Sequence, residues 1–382
     1  MRAIKASQLL VVGVASALVL SACAAPADTT EGGGGSTESF SIAYQGPLTG
    51  ADAKYGEYAK AGIEIALADY AAAYPDAPKV TAIYSDSQGD PAQAPALAAD
   101  LINNADVLGV VGPAFSGETE ATEPAYAEAG LVTVSPSATR VSLSEQGWST
   151  FFRVVANDGA QAPAAASMLT DTIGAEKIFV IDDASAYGVG LGDGIKEALG
   201  DKVVGSDSVE KGSTTDFSAT VTKVTSSGAD AVYYAGYATD AGLIQKQLTA
   251  AGFDGAYASG DGALESTFID TAGDASEGAY LTAAAGAAGD DFVAKWDALT
   301  VADKGSIGVY STEAYDSAWV LLSGIGEGNT TRADLLAWVA GYDDEGITKH
   351  IKFADNGEID GAGGVYYYLV KDGAFEAPVE IK

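Results

Sequence analysis

The stretch VLGVVGPAFSGETEATEPAYAEAGLVTVSPSAT, residues 107–139, decides the fold class of this chain. Its first part, Val107–Gly112, is a short apolar run, which predicts a buried strand. Gly117–Ala129 is predicted to be a helix, and Leu131–Ser135 is a second short apolar run. A strand, a helix and a strand in this order form a crossover unit, so we expect the two strands to lie parallel in one sheet.

The same alternation extends to both sides of this unit. Upstream, Ser39–Gln45 and Lys79–Asp86 are predicted strands, and Lys54–Tyr74 and Pro91–Asn103 are predicted helices. Downstream the alternation restarts, and repeated strand–helix order predicts parallel sheets that are covered by helices on both faces. The downstream strands are predicted at Lys177–Asp183, Lys202–Val209, Ala231–Gly236 and Gly255–Ser259, and the helices at Gln161–Thr172, Gly188–Leu199, Asp216–Ser226 and Asp240–Ala251.

Two such cycles in 382 residues predict an α/β protein with two Rossmann-like lobes, each built on a parallel central sheet. The part after residue 285 has too few predicted strands for a third sheet, so we expect it to return to the two lobes. The first lobe is predicted at residues 40–156 and 285–358, and the second at residues 157–284 and 359–382.

Three chain crossings are expected to join the lobes as a three-stranded hinge. We place them near Val154–Asp158, Leu281–Ala285 and Asp355–Gly363. A cleft between two lobes that are connected in this way is expected to close by hinge bending.

The first residues have the features of a secretion signal. Arg2 and Lys5 precede the apolar run Leu9–Leu20, which is too short for a comfortable membrane span of about 20 residues. The run ends in Leu-Ser-Ala-Cys at residues 20–23, which resembles the lipobox of bacterial lipoproteins. The alternative is an ordinary signal peptide with a chance cysteine, but Cys23 is the only cysteine of the chain and lies where the signal would be cut.

These features predict how the protein is held in place. Residues 1–23 are expected to be a lipoprotein signal peptide with Cys23 as the lipidated residue, and the small and polar residues 24–39 a flexible linker. No later stretch of the sequence is long and apolar enough to span a membrane. We therefore expect a folded part outside the cytoplasm that an N-terminal lipid anchors to the cell membrane.

The charge balance is strongly acidic, with 20 Lys and Arg against 53 Asp and Glu and a net charge of −33. Such a surface repels nucleic acid and anionic lipid headgroups, so we expect neither as a partner. The same charge suits a soluble protein in a salty or exposed setting, and it identifies no ligand.

Catalytic motifs are missing from the sequence. The one histidine, His350, lies in an alternating strand pattern that favours a structural role, and no Gly-x-Ser-x-Gly elbow is present. The glycine-rich segment 188–194 follows a predicted strand, but both readings of a dinucleotide fingerprint lack the last glycine. The carboxylates show no EF-hand pattern and no histidine pairing. We therefore expect no metal, no cofactor and no enzymatic activity.

The best candidates for a binding site are two turns that follow predicted strands. Pro113–Gly117 follows the strand that ends at Gly112, and Ser135–Thr139 follows the strand that ends at Val134. Both turns carry hydroxyl groups that could clasp a carboxylate, and the free N–H groups at the start of a helix favour an anion. Serine and threonine are also ordinary helix caps, so the turns alone identify no ligand.

Seven short motifs follow one another along the chain. They are Gly46-Pro47-Leu48-Thr49-Gly50 with Tyr55-Gly56, Val110–Ser116, Val134–Thr139, Ala186-Tyr187-Gly188, Asp216-Phe217-Ser218, Val232–Tyr237 and Ser259-Gly260-Asp261-Gly262. In order and spacing they resemble the leucine/isoleucine/valine-binding proteins of ABC transporters, which have the type I periplasmic-binding fold. The likeness covers nearly everything from Phe40 to the C-terminus. It implies a lipoprotein that captures an amino acid, branched-chain or otherwise aliphatic, by cleft closure and delivers it to the permease subunits of an ABC importer.

The resemblance also implies which residues bind the ligand. The hydroxyls of Ser116 and Thr139, with nearby backbone N–H groups, match the family's carboxylate site. The backbone carbonyl of Ser137 and the carboxylate of Asp261 match its ammonium site. Four tyrosines are expected to complete the site. Tyr187 and Tyr237 reach in from the second lobe, and Tyr55 and Tyr310 line the wall around the ligand side chain.

Two positions depart from the family's pattern. Asp261 stands where these proteins typically have the longer glutamate, and Gly117-Glu118 replaces a serine-rich stretch, which puts a negative charge near the implied carboxylate site. The family also contains binders of urea, short amides and aromatic acids, and the same fold serves ligand sensors and co-receptors. These remain alternatives to amino acid import.

Overall fold

A computed structural model describes residues 39–361 and 363–382 of the chain. The predicted signal peptide, Cys23 and the linker as far as Glu38 lie outside the described residues. Among the residues that are described, no helix is both long enough and apolar enough to cross a membrane.

The first sheet has five strands, all parallel, in the order β2-β1-β3-β4-β5. They are β1 (Ser39–Gly46), β2 (Lys79–Asp86), β3 (Val107–Val111), β4 (Val132–Ser135) and β5 (Phe151–Arg153). The intervening helices are α1 (Ala53–Ala73), α2 (Ala94–Asn103) and α3 (Ser116–Ala129). These bounds lie within a few residues of the predicted ones, because the apolar pattern that forms each element is local in the sequence. The sequence does not predict β5, since three residues are too few to show a period.

The strand order reverses direction at β1, which lies between β2 and β3. At such a point the loops that leave the carboxyl ends of two neighbouring strands turn to opposite faces of the sheet, and a crevice opens between them. The predicted turn Pro113–Gly117 leaves β3 at this crevice.

The second sheet has eight strands, five of them in a parallel part with the order β10-β9-β8-β6-β7. Its strands are β6 (Ile178–Asp182), β7 (Val203–Ser208), β8 (Ala231–Ala235), β9 (Ala256–Ser259), β10 (Tyr280–Ala283), β13 (Tyr366–Lys371), β14 (Ala374–Phe375) and β15 (Val379–Glu380). β13 pairs antiparallel with β10 and carries β14 and β15 antiparallel to itself. The predicted α/β class is confirmed, but this sheet is mixed and not wholly parallel.

The chain around residue 281 differs from the prediction. We expected Leu281–Ala285 to be a crossing between the lobes, but residues 280–283 form β10 inside the second sheet. This strand has only four residues, and it is followed by alanine and glycine, which are uncommon in strands. The sequence therefore gives only a weak strand signal there.

The remaining elements alternate with the second sheet or follow it. They are α4 (Asp158–Ser167), continued by a π-type turn at Met168–Thr172, α5 (Ala186–Leu199), α6 (Ser218–Ser227), α7 (Ala238–Ala250), α8 (Ser266–Ala272), α9 (Asp290–Ala298), α10 (Ser311–Gly326), α11 (Arg332–Ala340), and the antiparallel pair of β11 (Asp343–Glu345) and β12 (His350–Lys352). Most buried apolar side chains of both sheets form one continuous cluster, and a smaller cluster packs on the other face of the first sheet.

The helix α10 returns to the first sheet and packs against α1. A Cβ atom at Gly62 would lie 2.1 Å from the carbonyl oxygen of Ser311 and 2.6 Å from the backbone nitrogen of Tyr315. Only glycine therefore lets the two helices approach this closely. α10 thus lies beside the first sheet, while β13 belongs to the second. The boundaries of the two lobes stay a prediction.

Candidate ligand-binding site

A small space lies where residues that follow both sheets meet. Its volume is about 10 Å³. The residues that line it are Tyr55, Phe115, Ser116, Ser137, Tyr187, Tyr237, Asp261 and Gly262. Six of these eight are predicted site residues. The two other predicted residues, Thr139 and Tyr310, are buried but do not line this space.

The strand ends explain why these residues come together. In a parallel sheet the carboxyl ends of the strands share one edge, and the loops that follow them converge there. Ser116 and Ser137 follow β3 and β4 of the first sheet. Tyr187, Tyr237 and Asp261 follow β6, β8 and β9 of the second sheet.

The two hydroxyl turns of the first sheet are tied to each other. The Ser135 hydroxyl donates to the carbonyl of Pro113 at 2.7 Å, and the Ser137 hydroxyl donates to the carbonyl of Ala114 at 2.8 Å. The backbone N–H of Arg140 donates to the Ser116 hydroxyl oxygen at 3.3 Å. These hydrogen bonds fix the turn after β3 against the turn after β4, so the hydroxyl side of the site is held by its own contacts.

A buried guanidinium holds the loop around Thr139. One terminal nitrogen of Arg153 donates to the carbonyls of Ala138 and Arg140, both at 2.8 Å, on either side of Thr139. Its Nε donates to Glu358 at 2.9 Å, and its second terminal nitrogen contacts the same carboxylate. The Thr139 hydroxyl is itself buried, and no group in the described part of the chain hydrogen-bonds to it. A buried hydroxyl without a partner is a group that a ligand could satisfy.

Asp261 forms the opposite side of the site and is buried. One of its carboxylate oxygens accepts hydrogen bonds from Gln161 Nε2 at 2.7 Å and from the Tyr187 hydroxyl at 2.8 Å. The hydroxyl of Tyr55, from α1, donates to the Asp261 backbone carbonyl and so joins the two sides. Burial raises the pKa of Asp261, although the hydrogen bonds from Gln161 and Tyr187 oppose that effect.

A second carboxylate, which the sequence analysis missed, lies beside Asp261. Asp158 is the first residue of α4 and is 2% exposed, and neither of its carboxylate oxygens has a hydrogen-bond partner in residues 39–361 and 363–382. Burial and the neighbouring charge of Asp261 raise the pKa of Asp158 to about 8, against the effects of the Thr139 hydroxyl, Arg153 and Arg140. The backbone N–H of Asp158 donates to the Thr139 carbonyl at 2.8 Å, so Asp158 also borders the hydroxyl side. Asp158 and Gln161 follow β5, so recognising β5 as a strand would have pointed to both of them.

Tyr310, a predicted site residue, has an unusual backbone conformation. Its φ of +64° lies in the left-handed region, which a tyrosine rarely adopts, and it immediately precedes α10. Burial raises the pKa of Asp261, and the Tyr310 hydroxyl is one of the groups that oppose this effect. Strained backbone of this kind is concentrated at functional sites.

Aromatic rings and one lysine close another side of the space. The ring centroids of Phe115 and Tyr237 lie 4.6 Å apart, and those of Tyr187 and Tyr237 lie 5.4 Å apart. Lys211 Nζ lies 3.7 Å from the centre of the Tyr237 ring and 2.6 Å from a carboxylate oxygen of Asp52. Neither Lys211 nor Asp52 belongs to a motif of the sequence, so neither was predicted as a site residue.

Glu118 points away from the hydroxyl side. Its carboxylate accepts a hydrogen bond from the backbone N–H of Phe115 at 3.1 Å, which caps the start of its own helix. The side chain is fully buried, and burial raises the pKa of Glu118 to about 7. The carboxylate that the sequence places near Ser116 is therefore bound to the backbone of the turn.

The site offers hydroxyl groups on one side and carboxyl groups on the other. This arrangement suits a small molecule with an acceptor at one end and a positive or donor group at the other.

His350 lies elsewhere, half-exposed on β12, where its ring nitrogens contact Glu345 at 2.9 Å and Asp343 at 2.8 Å. In the described ranges, no group of three or more His, Cys, Asp and Glu side chains is placed to hold a metal ion.

The sequence and the fold are similar to those of several known proteins. The model of the family described as "Periplasmic binding protein" matches residues 39–374. An amino acid binding protein of Pseudomonas aeruginosa is 33% identical over 236 residues, which cover 61% of this chain and 63% of that protein. A Leu/Ile/Val-binding protein homolog 2 of Brucella abortus is 32% identical over 255 residues, which cover 65% of this chain and 68% of that protein.

One solved structure shows how far the fold agrees. The branched-chain amino acid transporter substrate binding protein LivJ of Streptococcus pneumoniae, in complex with isoleucine, matches with a TM-score of 0.80. The match has 24% sequence identity and covers 90% of this chain and 100% of that one. At this identity the likeness shows the fold, which is that of LivJ.

Proposed function

Because this chain belongs to the periplasmic binding protein family, we propose that it captures an amino acid and delivers it to an ABC importer. Aliphatic amino acids, and branched-chain ones first, are the proposed ligands, since a relative is named as a homologue of a Leu/Ile/Val-binding protein and LivJ holds isoleucine. The observation that carries the proposal is the opposition of the first sheet's hydroxyl turns and the buried carboxylate of Asp261 across one small space.

The proposed roles follow from the charges of a zwitterion. Its carboxylate binds the hydroxyls of Ser116 and Thr139 and the free N–H groups at the start of α3, where the helix dipole favours an anion. Its ammonium binds the Ser137 carbonyl and the Asp261 carboxylate. Both ends of the ligand lose strong hydration in the site, so each needs partners of this kind. The tyrosines that complete the site are Tyr187 and Tyr237 around the ligand backbone, and Tyr55 and Tyr310 along its side chain.

Capture requires the two sides of the site to move apart. A volume of about 10 Å³ holds roughly one water molecule and no amino acid. The proposed lobes, residues 40–156 with 285–358 and residues 157–284 with 359–382, therefore open for the ligand to bind between them. A ligand that contacts both sides stabilises the closed state, and an importer can recognise that state.

The location and the partners are part of the same proposal. Members of the family work outside the cytoplasm, and we propose that lipidated Cys23 anchors this protein to the cell membrane while residues 24–39 give it reach to the permease subunits. The test is Cys23→Ser, which should release the protein into the medium, while the unchanged protein stays in the membrane fraction. Equal release of both would remove the anchor from the proposal.

Calorimetry on the mature protein tests the ligand. Leucine, isoleucine and valine should bind, whereas binding of urea, short amides or aromatic acids alone would replace the amino acid assignment. Asp261→Ala should weaken amino acid binding at least about tenfold, because it removes the anionic partner of a buried ammonium. Asp270→Ala, at an exposed position on α8, is the control and should bind normally. If none of these compounds binds and the protein instead associates with a membrane receptor, the sensor alternative would be favoured.

We propose that the protein has no enzymatic activity.

A further inference from the structure

A further buried carboxylate follows Asp261 by four residues and takes no part in the site described above. Glu265 is 1% exposed, and in the described part of the chain neither of its carboxylate oxygens has a hydrogen-bond partner. Burying an ionised carboxylate without a partner is costly, so native proteins rarely retain one without a reason.

Glu265 lines a cavity of about 290 Å³, far larger than the space beside Asp261. The rest of the cavity wall is mostly apolar and aromatic. Its larger side chains are Tyr58, Leu264, Ile307, Val309, Tyr368 and Phe375. An apolar cavity with a single acidic group suits an alkyl stem that ends in a positive charge, because the stem packs on the wall and the charge meets the carboxylate.

The cavity adjoins the part of the amino acid site that is proposed to face the ligand side chain. Tyr55 contacts the Asp261 carbonyl, and its ring centroid lies 6.4 Å from that of Tyr58, which lines the cavity. Val309, also in the cavity wall, immediately precedes Tyr310. The charge of Glu265 is near enough to Tyr55 to raise the pKa of its hydroxyl, so a ligand side chain beside Tyr55 lies near Glu265.

Among the described residues, no cation forms an ion pair with Glu265. Lys54 and Lys211 are near enough to affect its pKa, but Lys54 Nζ pairs with Glu57 at 2.8 Å and Lys211 Nζ pairs with Asp52 at 2.6 Å. Burial and the negative charge of Asp52 raise the pKa of Glu265 to about 8, against the effects of Thr267 and the two lysines. A ligand cation would favour the ionised carboxylate and relieve the cost of burying it.

We infer that Glu265 is a side-chain subsite that favours amino acids whose alkyl side chain ends in a positive charge, such as lysine. The inference rests on the proposed function, because the α-carboxylate and α-ammonium must be held between Ser116 and Asp261. It extends the proposed range of ligands, since the stem of lysine contacts the same wall as an aliphatic side chain.

The test compares L-lysine with L-norleucine, which has the same stem but lacks the side-chain ammonium. Calorimetry on the mature protein should show lysine binding at least about tenfold more tightly than norleucine, as expected for a buried charge pair. Glu265→Gln should remove most of this difference and change the norleucine affinity by less than about twofold. Glu277→Gln makes the same chemical change at an exposed position and should keep the lysine preference.

Equal affinities of lysine and norleucine for the unchanged protein would overturn the inference, and so would an undiminished lysine preference in Glu265→Gln. A thermal unfolding curve shows that the variant is folded, and Glu265→Leu provides a second variant that should favour norleucine. If leucine and norleucine bind but lysine is not preferred, only this inference fails. If none of the three binds, the proposed amino acid capture fails as well.

Discussion

The two sides of the cleft solve the burial of polar groups in different ways. On the hydroxyl side, the turns after β3 and β4 bind each other through Ser135 and Ser137, and Arg153 satisfies the carbonyls around Thr139. On the acidic side and in the cavity next to it, the carboxylates of Asp158 and Glu265 are buried, and no group among the described residues hydrogen-bonds to them. Apart from the Thr139 hydroxyl, the first side is therefore preorganised by its own contacts, whereas the second retains a desolvation cost that a bound cation would reduce.

This difference predicts that the hydroxyl side contributes mainly to stability and the acidic side mainly to binding. Substitutions on the first side should lower the free energy of unfolding. Substitutions on the second should lower ligand affinity and leave the protein as stable or more stable.

The largest effect is expected from Arg153→Ala. It leaves the Glu358 carboxylate without its cation and two carbonyls without their donor, so the free energy of unfolding should fall by about 3–5 kcal/mol. Urea denaturation measures this change. Arg153→Lys keeps the charge but loses the fork-shaped contacts, so it should recover only part of the stability. Lys177→Ala, at an exposed position, is the control. A change below about 1 kcal/mol in Arg153→Ala would contradict the structural role of this residue.

The next effect concerns Asp158→Asn, which removes a buried titratable carboxyl group beside Asp261. We expect amino acid affinity to fall about tenfold, because the ligand ammonium would favour the ionised form of Asp158 and the amide cannot ionise, while the melting temperature stays the same or rises. Calorimetry and thermal unfolding on one preparation measure both quantities. Asp270→Asn should change neither. A variant that loses stability together with affinity would show that the two sides do not differ in the way described.

The pH dependence of stability should come from the raised carboxyl pKa values. Burial raises the pKa of Asp158 and of Glu265 to about 8 in the folded chain, and unfolded carboxyl groups titrate near 4. The folded state then binds protons more tightly, so the stabilisation is present below pH 4 and is lost as the pH rises toward 8. Each group changes the free energy of unfolding by at most about 1.4 kcal/mol per pH unit.

Denaturation at several pH values measures this slope for the ligand-free protein. Asp158→Asn should make the decline between pH 5 and pH 8 shallower, because one of the titrating groups is gone. An identical slope in this variant would show that Asp158 does not bind its proton more tightly in the folded state.

The smallest effect is expected from Lys211→Met at the edge of the cleft. The pair of Lys211 and Asp52 is partly exposed, and such pairs contribute at most about 1 kcal/mol. The substitution keeps the stem over the Tyr237 ring but loses the charge, so ligand release should become a few times faster with little change in melting temperature. Stopped-flow measurements of release check this. Unaltered release would show that the pair does not hold the cleft closed.

The sequence by itself determined the order of strands and helices. The apolar run Val107–Gly112 and the strand-like segment Lys79–Asp86 predicted β3 and β2 to within one residue, because the residue pattern that forms each strand is local in the sequence. The seven motifs also contain the six predicted residues that line the candidate site, and five of these follow strands of the two sheets, whose loops converge at one edge of each sheet.

Only the tertiary structure decided which polar groups are buried together. The pairing of Gln161 with Asp261 joins residues that are 100 positions apart, and Gln161 follows β5, whose three residues are too few to show a strand pattern. Burial also turns Asp158 and Glu265, two of 53 acidic residues in the sequence, into groups with raised pKa values. The charge of a carboxylate depends on the solvent and the partners around it, and these are fixed by the packing of distant segments and not by the local sequence.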